Sequence, residues 1–323
     1  MSPRNSKAPR PLSVVVRPGS KAELTSRRIA ARLKVQPKAQ PEAIAAGFRP
    51  RRDLNLHDKG GPIIRDLTYT TFFVGGSAAW DPQDIHNIDD RLSAAMSDRL
   101  LNNVLLQYFR GASQITTNFR PSNVLTGEPP ASMSQTDVEQ VLTSLGTAGQ
   151  LTGFDFANTV FNFMLPRGSV LTIDDGSPDK APGRASGDTD DASSSLEGLG
   201  GFHGSVELAG QMVFYAVGVF SEGNNGIVAF DQSWKNVVAT FYHELNEART
   251  DAGVEIDNVA WVNNEQPSEE IGDIPMTLAG NDLSKVMKEV KLADGSTAPI
   301  QLMWSNAVAG PEGPIAKPHP PTA

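Results

Sequence analysis

The stretch FYHELNEARTD, residues 241–251, decides how the rest of the chain is read. On a helix turning 100° per residue, Trp234, Val237, Val238, Phe241, Leu245 and Ala248 gather on one side. His243, Glu244, Glu247 and Asp251 fall on the other, within a sector of about 100°. His243 and Glu247 stand at i and i+4, one turn apart, so both reach a single ion. Glu244, beside the first of them, is placed to act as general base on a water activated by that ion. The string differs at one position from the H-E-x-x-H pattern of zinc-hydrolase helices, with Glu247 in place of the second histidine. A carboxylate oxygen binds Zn²⁺ at nearly the distance of an imidazole nitrogen, but its charge also admits harder ions such as Mn²⁺ or Ca²⁺. A third ligand is required. Asp251, one turn further and next to a bend at Gly253, is one candidate, and the isolated His203 is the other. The competing reading is a solvated, charged helix face with Glu247 and Arg249 as neighbours.

Working outward, LTYTTFFV (67–74) is a β-branched and aromatic run stopped by Gly75-Gly76, which predicts a buried strand. Leu92, Met96, Leu100, Val104 and Tyr108 recur at helical spacing and predict one core-facing helix over 89–111. Thr136 and Glu139 have capping-box spacing ahead of a helix at 138–145. Residues 159–168 read as a strand closed by Pro-Arg-Gly. Residues 201–220 read as a hairpin turning at Ala209-Gly210. Strands and helices alternate without a strict βαβ beat, so the expected class is α/β (α+β): one domain at 61–310 with a mixed sheet.

The flanks differ in composition. Residues 1–60 hold 14 Lys/Arg against 4 Asp/Glu, a net charge of +10 within a chain of net −9, leaving −19 for the rest. With few aromatics to stack on bases, this basic, Pro-rich stretch reads as a flexible extension, and no nucleic-acid partner is expected. It contains at most a short helix near 21–34, and its apolar run LSVVV (12–16) is too short for a signal-peptide core. The chain therefore reads as cytoplasmic as written, or exported by an atypical route. The Asp/Ser/Gly/Pro-rich 173–201 predicts a mobile acidic loop without calcium-loop spacing, and 311–323 a Pro-rich tail. The absence of cysteine excludes disulfides, thiolate metal ligation and thiol catalysis. No run is long enough to span a membrane.

Several blocks together resemble the EXORDIUM-like, phosphate-induced proteins of plants and their bacterial relatives. HELNEARTD is similar to that family's HE-[LIV]-x-E-[AV]-x-TDP segment. GFHGSVELAGQMVFYAVGVF (201–220) resembles its G-Y-H-S-S-F strand and the Tyr-Ala-Val strand after it. EEIGDIP (269–275) resembles E-I-G-D-x-C, and QLMWSN (301–306) resembles the closing Q-x-x-W-S-N. LTYTTFFVGG and NFMLPRG resemble the first strand and the strand ending in L-P-P-G. The blocks come in the family's order and cover roughly residues 60–310. Three positions depart from the pattern: Ala252 replaces the proline after T-D, Pro275 replaces the cysteine, and NVAWVNNEQPSEE (258–270) replaces a Gly-Trp-Tyr-Asp stretch.

The resemblance implies a zincin-like domain with a metallopeptidase-like centre of His243, Glu244, Glu247 and Asp251, and with His203, Glu270 and Asp273 nearby. Glu270 and Asp273 would serve a second, structural ion such as Ca²⁺, or Gly272-Asp273 simply makes a turn. The function expected from residues and resemblance together is a zinc-dependent hydrolase of peptide or protein substrates, with Glu244 as base. The alternative is a non-catalytic binding protein for peptides or glycans that keeps the fold. Trp304-Ser305-Asn306 is expected to pack and turn rather than to catalyse, Tyr242 to pack, and His57, His86 and His319 to be exposed.

Overall fold

A computed structural model of the chain describes residues 12–22, 44–173, 194–253, 258–264 and 269–322. Most of the expected helix near 21–34 and most of the expected acidic loop lie outside the described residues. The fold is α+β, built on a seven-stranded mixed sheet. From one edge the strands run Leu12–Val16, Leu199–Leu208, Gln211–Val219, Thr159–Leu165 and Asp66–Phe73. The short Thr116–Phe119 and Asn123–Val124 both pair with the far side of Asp66–Phe73. Leu199–Leu208 is antiparallel to both its neighbours, while the other pairings are parallel. The reversal follows from the tight Ala209-Gly210 turn, where both residues take positive φ.

Both faces of the sheet are covered, which explains why Thr159–Leu165 is a fully buried run rather than an alternating one. One face carries helix Pro82–Ser97 and the motif helix Ser233–Thr250, sharing a core with Tyr69, Phe73, Phe241 and Leu245. The other carries helix Gln135–Thr147, whose Val138, Leu142 and Leu145 meet Phe161, Phe163 and Tyr215. Among the described residues, no helix is long and apolar enough to cross a membrane.

Several local expectations are corrected. The helix over 89–111 is instead two, Pro82–Ser97 and Arg99–Leu105, followed by a short 3-10 turn. Asp98 makes the break: its extended backbone ends the first helix, and its Oδ1 accepts from the amides of Leu100 and Leu101 to start the second. The capping box belongs to Ser134 and Asp137, two residues earlier than expected. Glu139 is instead buried, accepting hydrogen bonds from Gln135 and Tyr215.

The flanks are also more ordered than composition indicates. LSVVV forms an edge strand, and Leu56–Asp58 pairs with Trp261–Asn263. The tail is tied down by hydrogen bonds from Ile315 to Leu100 and from Thr322 to Gln107. His319 is half-buried rather than exposed, 2.9 Å from the buried Glu312. Trp304 and Asn306 pack as expected: Trp304 Nε1 donates to Asn306, whose amide in turn donates to Leu56 O.

Asp98 also accepts from the amide of Ala293, nearly 200 residues away, at 2.7 Å. Asp98→Ala should therefore cost about 1–3 kcal/mol, more than an ordinary helix cap, measured by urea denaturation.

Candidate metal centre

The motif helix is buried around its whole circumference from Asn236 to Thr250. The solvated-face reading therefore fails. His243, Glu244 and Glu247 have no exposed surface, and His203, on the facing strand Leu199–Leu208, has 1 %. Arg249 does not pair with Glu247. It is buried beside Phe109 and donates to the carbonyls of Arg65 and Thr116, and burial pushes its pKa down to about 10.

Two groups of side chains bring their donor atoms within 4.8 Å of one another: His203, Glu244 and Glu247, and His243, Glu247 and Asp273. Glu247 belongs to both, through Oε2. His243 Nε2 lies 3.0 Å from that oxygen and 3.7 Å from Asp273 Oδ1. His203 Nδ1 lies 3.7 Å from it and 3.4 Å from Glu244 Oε2, while its Nε2 is 3.9 Å from Glu270 Oε1.

Neighbouring residues fix the orientation of each group. Gln301 donates its Nε2 to Gly272 O at 2.6 Å, so its Oε1 must accept, and His243 Nδ1–H donates to it at 2.9 Å. That tautomer leaves a bare lone pair on His243 Nε2. Glu247 Oε1 accepts from the amides of Gly272 and Asp273, both at 3.1 Å, so Oε2 is the oxygen left over. Two acceptors thus face each other at 3.0 Å, and only a cation, metal ion or proton, reconciles them. His203 Nε2, His243 Nε2, Glu244 Oε1 and Glu247 Oε2 are all buried and lack a hydrogen-bond partner.

Proton affinities reflect the same crowding. Burial raises Glu244 to about 8, with the Glu247 charge adding to it and His203 opposing. Burial, and then Glu247, push Asp273 well above the usual carboxylate range. Burial also works to raise Glu247, but His243 and His203 outweigh it and hold Glu247 below its ordinary value. Burial works to lower His243, but Glu247 and Asp273 lift it to about 8.

Of the residues singled out from the sequence, His203, His243, Glu244, Glu247 and Asp273 come together. Asp251 does not join either group. It caps the helix end, accepts from the Ala260 amide at 2.6 Å and hydrogen-bonds Glu270, and burial raises it to about 7. Its backbone amide donates to Glu247 O at 2.7 Å, while its side chain faces Glu270 rather than the donor atoms. Gln301 and Gly272 were not anticipated as site residues, although both lie inside blocks of the family resemblance. Comparison with family models, with curated proteins and with solved structures gives no match.

Gly272 has an ordinary negative φ, so its role is space. A Cβ there would stand 2.4 Å from His243 Nδ1 and 2.9 Å from Glu247 Oε1. Gly272→Ala should displace both side chains, lowering the affinity for added Zn²⁺ by roughly 10–100-fold in a competition titration, with the fold retained by circular dichroism.

Proposed function

We propose that the protein is a metal-dependent hydrolase of peptides or proteins, with the metal bound by His243, Glu247 and Asp273 and with Glu244 as general base. The approach of His243 Nε2 and Glu247 Oε2 to 3.0 Å, buried atoms that need a cation between them, with Asp273 Oδ1 3.7 Å from the same nitrogen, is the observation that carries this reading. The donor set of one imidazole and two carboxylates suits Zn²⁺ and also admits Mn²⁺ or Ca²⁺. A divalent ion there supplies a Lewis acid that polarises a carbonyl and acidifies water.

The remaining chemistry belongs to the chain. Glu244 takes the proton of the attacking water on Oε1, its unpartnered oxygen, and returns it to the leaving amine. His203, 3.4 Å from Oε2, positions that carboxylate. The Gly272 and Asp273 amides and Gln301 hold Glu247 and His243 against rotation. The EXORDIUM-like resemblance supports the roles of His243, Glu244 and Glu247 but has Asp251 rather than Asp273 in the centre; it and the zincin-like architecture are proposals with this reading.

Protein purified without chelator should carry about one equivalent of metal per chain by elemental analysis. His243→Ala and Glu247→Gln should lose it. Glu244→Gln should keep it and cut turnover of a mixed peptide library, read by mass spectrometry, by roughly 10²–10⁴-fold. Metal-free wild-type protein that takes up no added Zn²⁺, Mn²⁺ or Ca²⁺ ends this reading. The full burial of His243, Glu244 and Glu247 favours a second reading, an ion-holding binding protein without turnover. Metal-loaded protein with no hydrolysis, and with a ligand affinity that Glu244→Gln leaves unchanged, would select it.

A further inference from the structure

Glu244 has no exposed surface and Asp273, the most exposed of the five side chains, only 13 %, so a substrate reaches the base only if one of the site's walls moves. Most walls are also supports: the motif helix, His203's strand, the Gly272-Asp273 turn and Gln301 each hold a donor in place. The strand Leu12–Val16 is different, because it contributes no side chain to either group of donors. It lies at the outer edge of the sheet, antiparallel to Leu199–Leu208, with Ser13 opposite His203 and Val15 opposite Gly201. Val15 is fully buried on the motif-helix side of the sheet. Gly201 is close to the base: a Cβ there would stand 3.1 Å from Glu244 Oε1.

We propose that the edge of Leu199–Leu208 is a docking groove for an extended, small apolar peptide, and that Leu12–Val16 occupies it as a built-in blocker over Glu244. An edge strand presents a row of backbone donors and acceptors, which a peptide satisfies by adding as one more strand. Alternate side chains set the preference. Val15 faces the motif-helix core, where Gly200 leaves it room: a Cβ at 200 would be 3.3 Å from Val15 Cγ1. Val14 and Val16 pack against the core on the opposite face of the sheet.

The blocker is a short edge strand with an irregular end: its register shifts between Val15, opposite Gly201, and Val16, opposite Leu199. Beyond it Pro18, Ser20 and Ala22 are buried, while Arg17 and Pro18 line an open groove of about 330 Å³ beside Val228, Ala229, Asn281 and Ser284. Anchors there include a hydrogen bond from the Arg17 amide to Gly198 O, the close packing of Ser20 on Gly198, and a Lys21–Glu197 ion pair at 2.9 Å, with Lys21 largely exposed. Such an exposed pair adds little. The blocking role rests on the hydrolase reading above; the groove itself does not.

The test uses the full-length chain with a site-specific protease sequence inserted after Ala22, folded intact and then cut. The probe is a fluorescent peptide with the sequence of residues 11–17. A tethered strand competes at an effective concentration on the order of 1 mM. Against a peptide Kd of about 10 µM, the intact chain should therefore bind the probe roughly 100-fold more weakly than the cut chain. Turnover of the peptide library should rise on cutting. A cut chain that releases its N-terminal fragment, stays folded and binds no probe overturns the groove.

If cutting unfolds the protein, hydrogen exchange on the intact chain decides. Amides of Leu199–Leu208 should open well below the global unfolding free energy and be protected again by excess peptide; exchange only through global unfolding overturns the proposal. Failure here and failure of the hydrolase reading are distinguishable. Probe binding by a chain that takes up no metal leaves the groove and removes the hydrolase. Metal-dependent hydrolysis unchanged by cutting leaves the hydrolase and removes the blocker.

Discussion

The 3.0 Å approach of His243 Nε2 to Glu247 Oε2 is the contact that the surrounding structure is arranged to hold. Neither atom could stay there unaided, because a bare lone pair facing a carboxylate in a dry interior is repulsive. Three separate pieces of chain impose the contact. The helix sets the i, i+4 spacing, the Gly272-Asp273 turn turns Oε2 inward by binding Oε1, and Gln301 turns the imidazole by accepting from Nδ1. Burial then makes the arrangement costly unless a cation completes it. Each of the carboxylates at 244, 247 and 273 lies within 3.7 Å of an imidazole nitrogen.

The fold supplies what that contact demands. Helices cover both faces of the sheet, so the strand carrying His203 and the helix carrying the motif enclose the cluster between them. The single antiparallel strand, Leu199–Leu208, runs beside the motif helix, which brings His203 over Glu244 and Glu247. Glycines matter here as missing side chains rather than as hinges. Gly201 and Gly272 lie where any Cβ would strike Glu244 or His243.

Much of this was legible in the sequence, and the limits have physical reasons. The motif helix, the hairpin and the first long strand follow from periodicity and turn residues, which act locally. Helix breaks are subtler: Leu92, Met96, Leu100 and Val104 keep helical phase across Asp98, so the pattern hides an interruption that the Asp98 side chain itself makes. The capping box was displaced by two residues because Thr136–Glu139 and Ser134–Asp137 share one spacing, and burial of Glu139 against Tyr215 chooses between them. Among the site residues, His203, His243, Glu244, Glu247 and Asp273 were readable as a candidate set. That Asp251 would cap a helix end, and that Gln301 would orient His243, depends on chain segments brought together only by the fold.

Composition misled most at the N-terminus, and the reason bears on how the molecule works. A stretch with 14 basic residues and many prolines cannot build a core, yet LSVVV needs none, because the sheet edge supplies one face of hydrogen bonds and apolar cover on both sides. A strand held this way is stabilised by its partner rather than by its own neighbours in sequence. It is therefore the kind of element that a competing peptide can replace without disturbing the rest. The helix, turn and glutamine that hold the His243–Glu247 contact stay fixed, while the strand over Glu244 is set by an equilibrium between tethered and external occupants. Rigid donor side chains and an exchangeable cover are thus carried by different pieces of chain, on either side of Glu244.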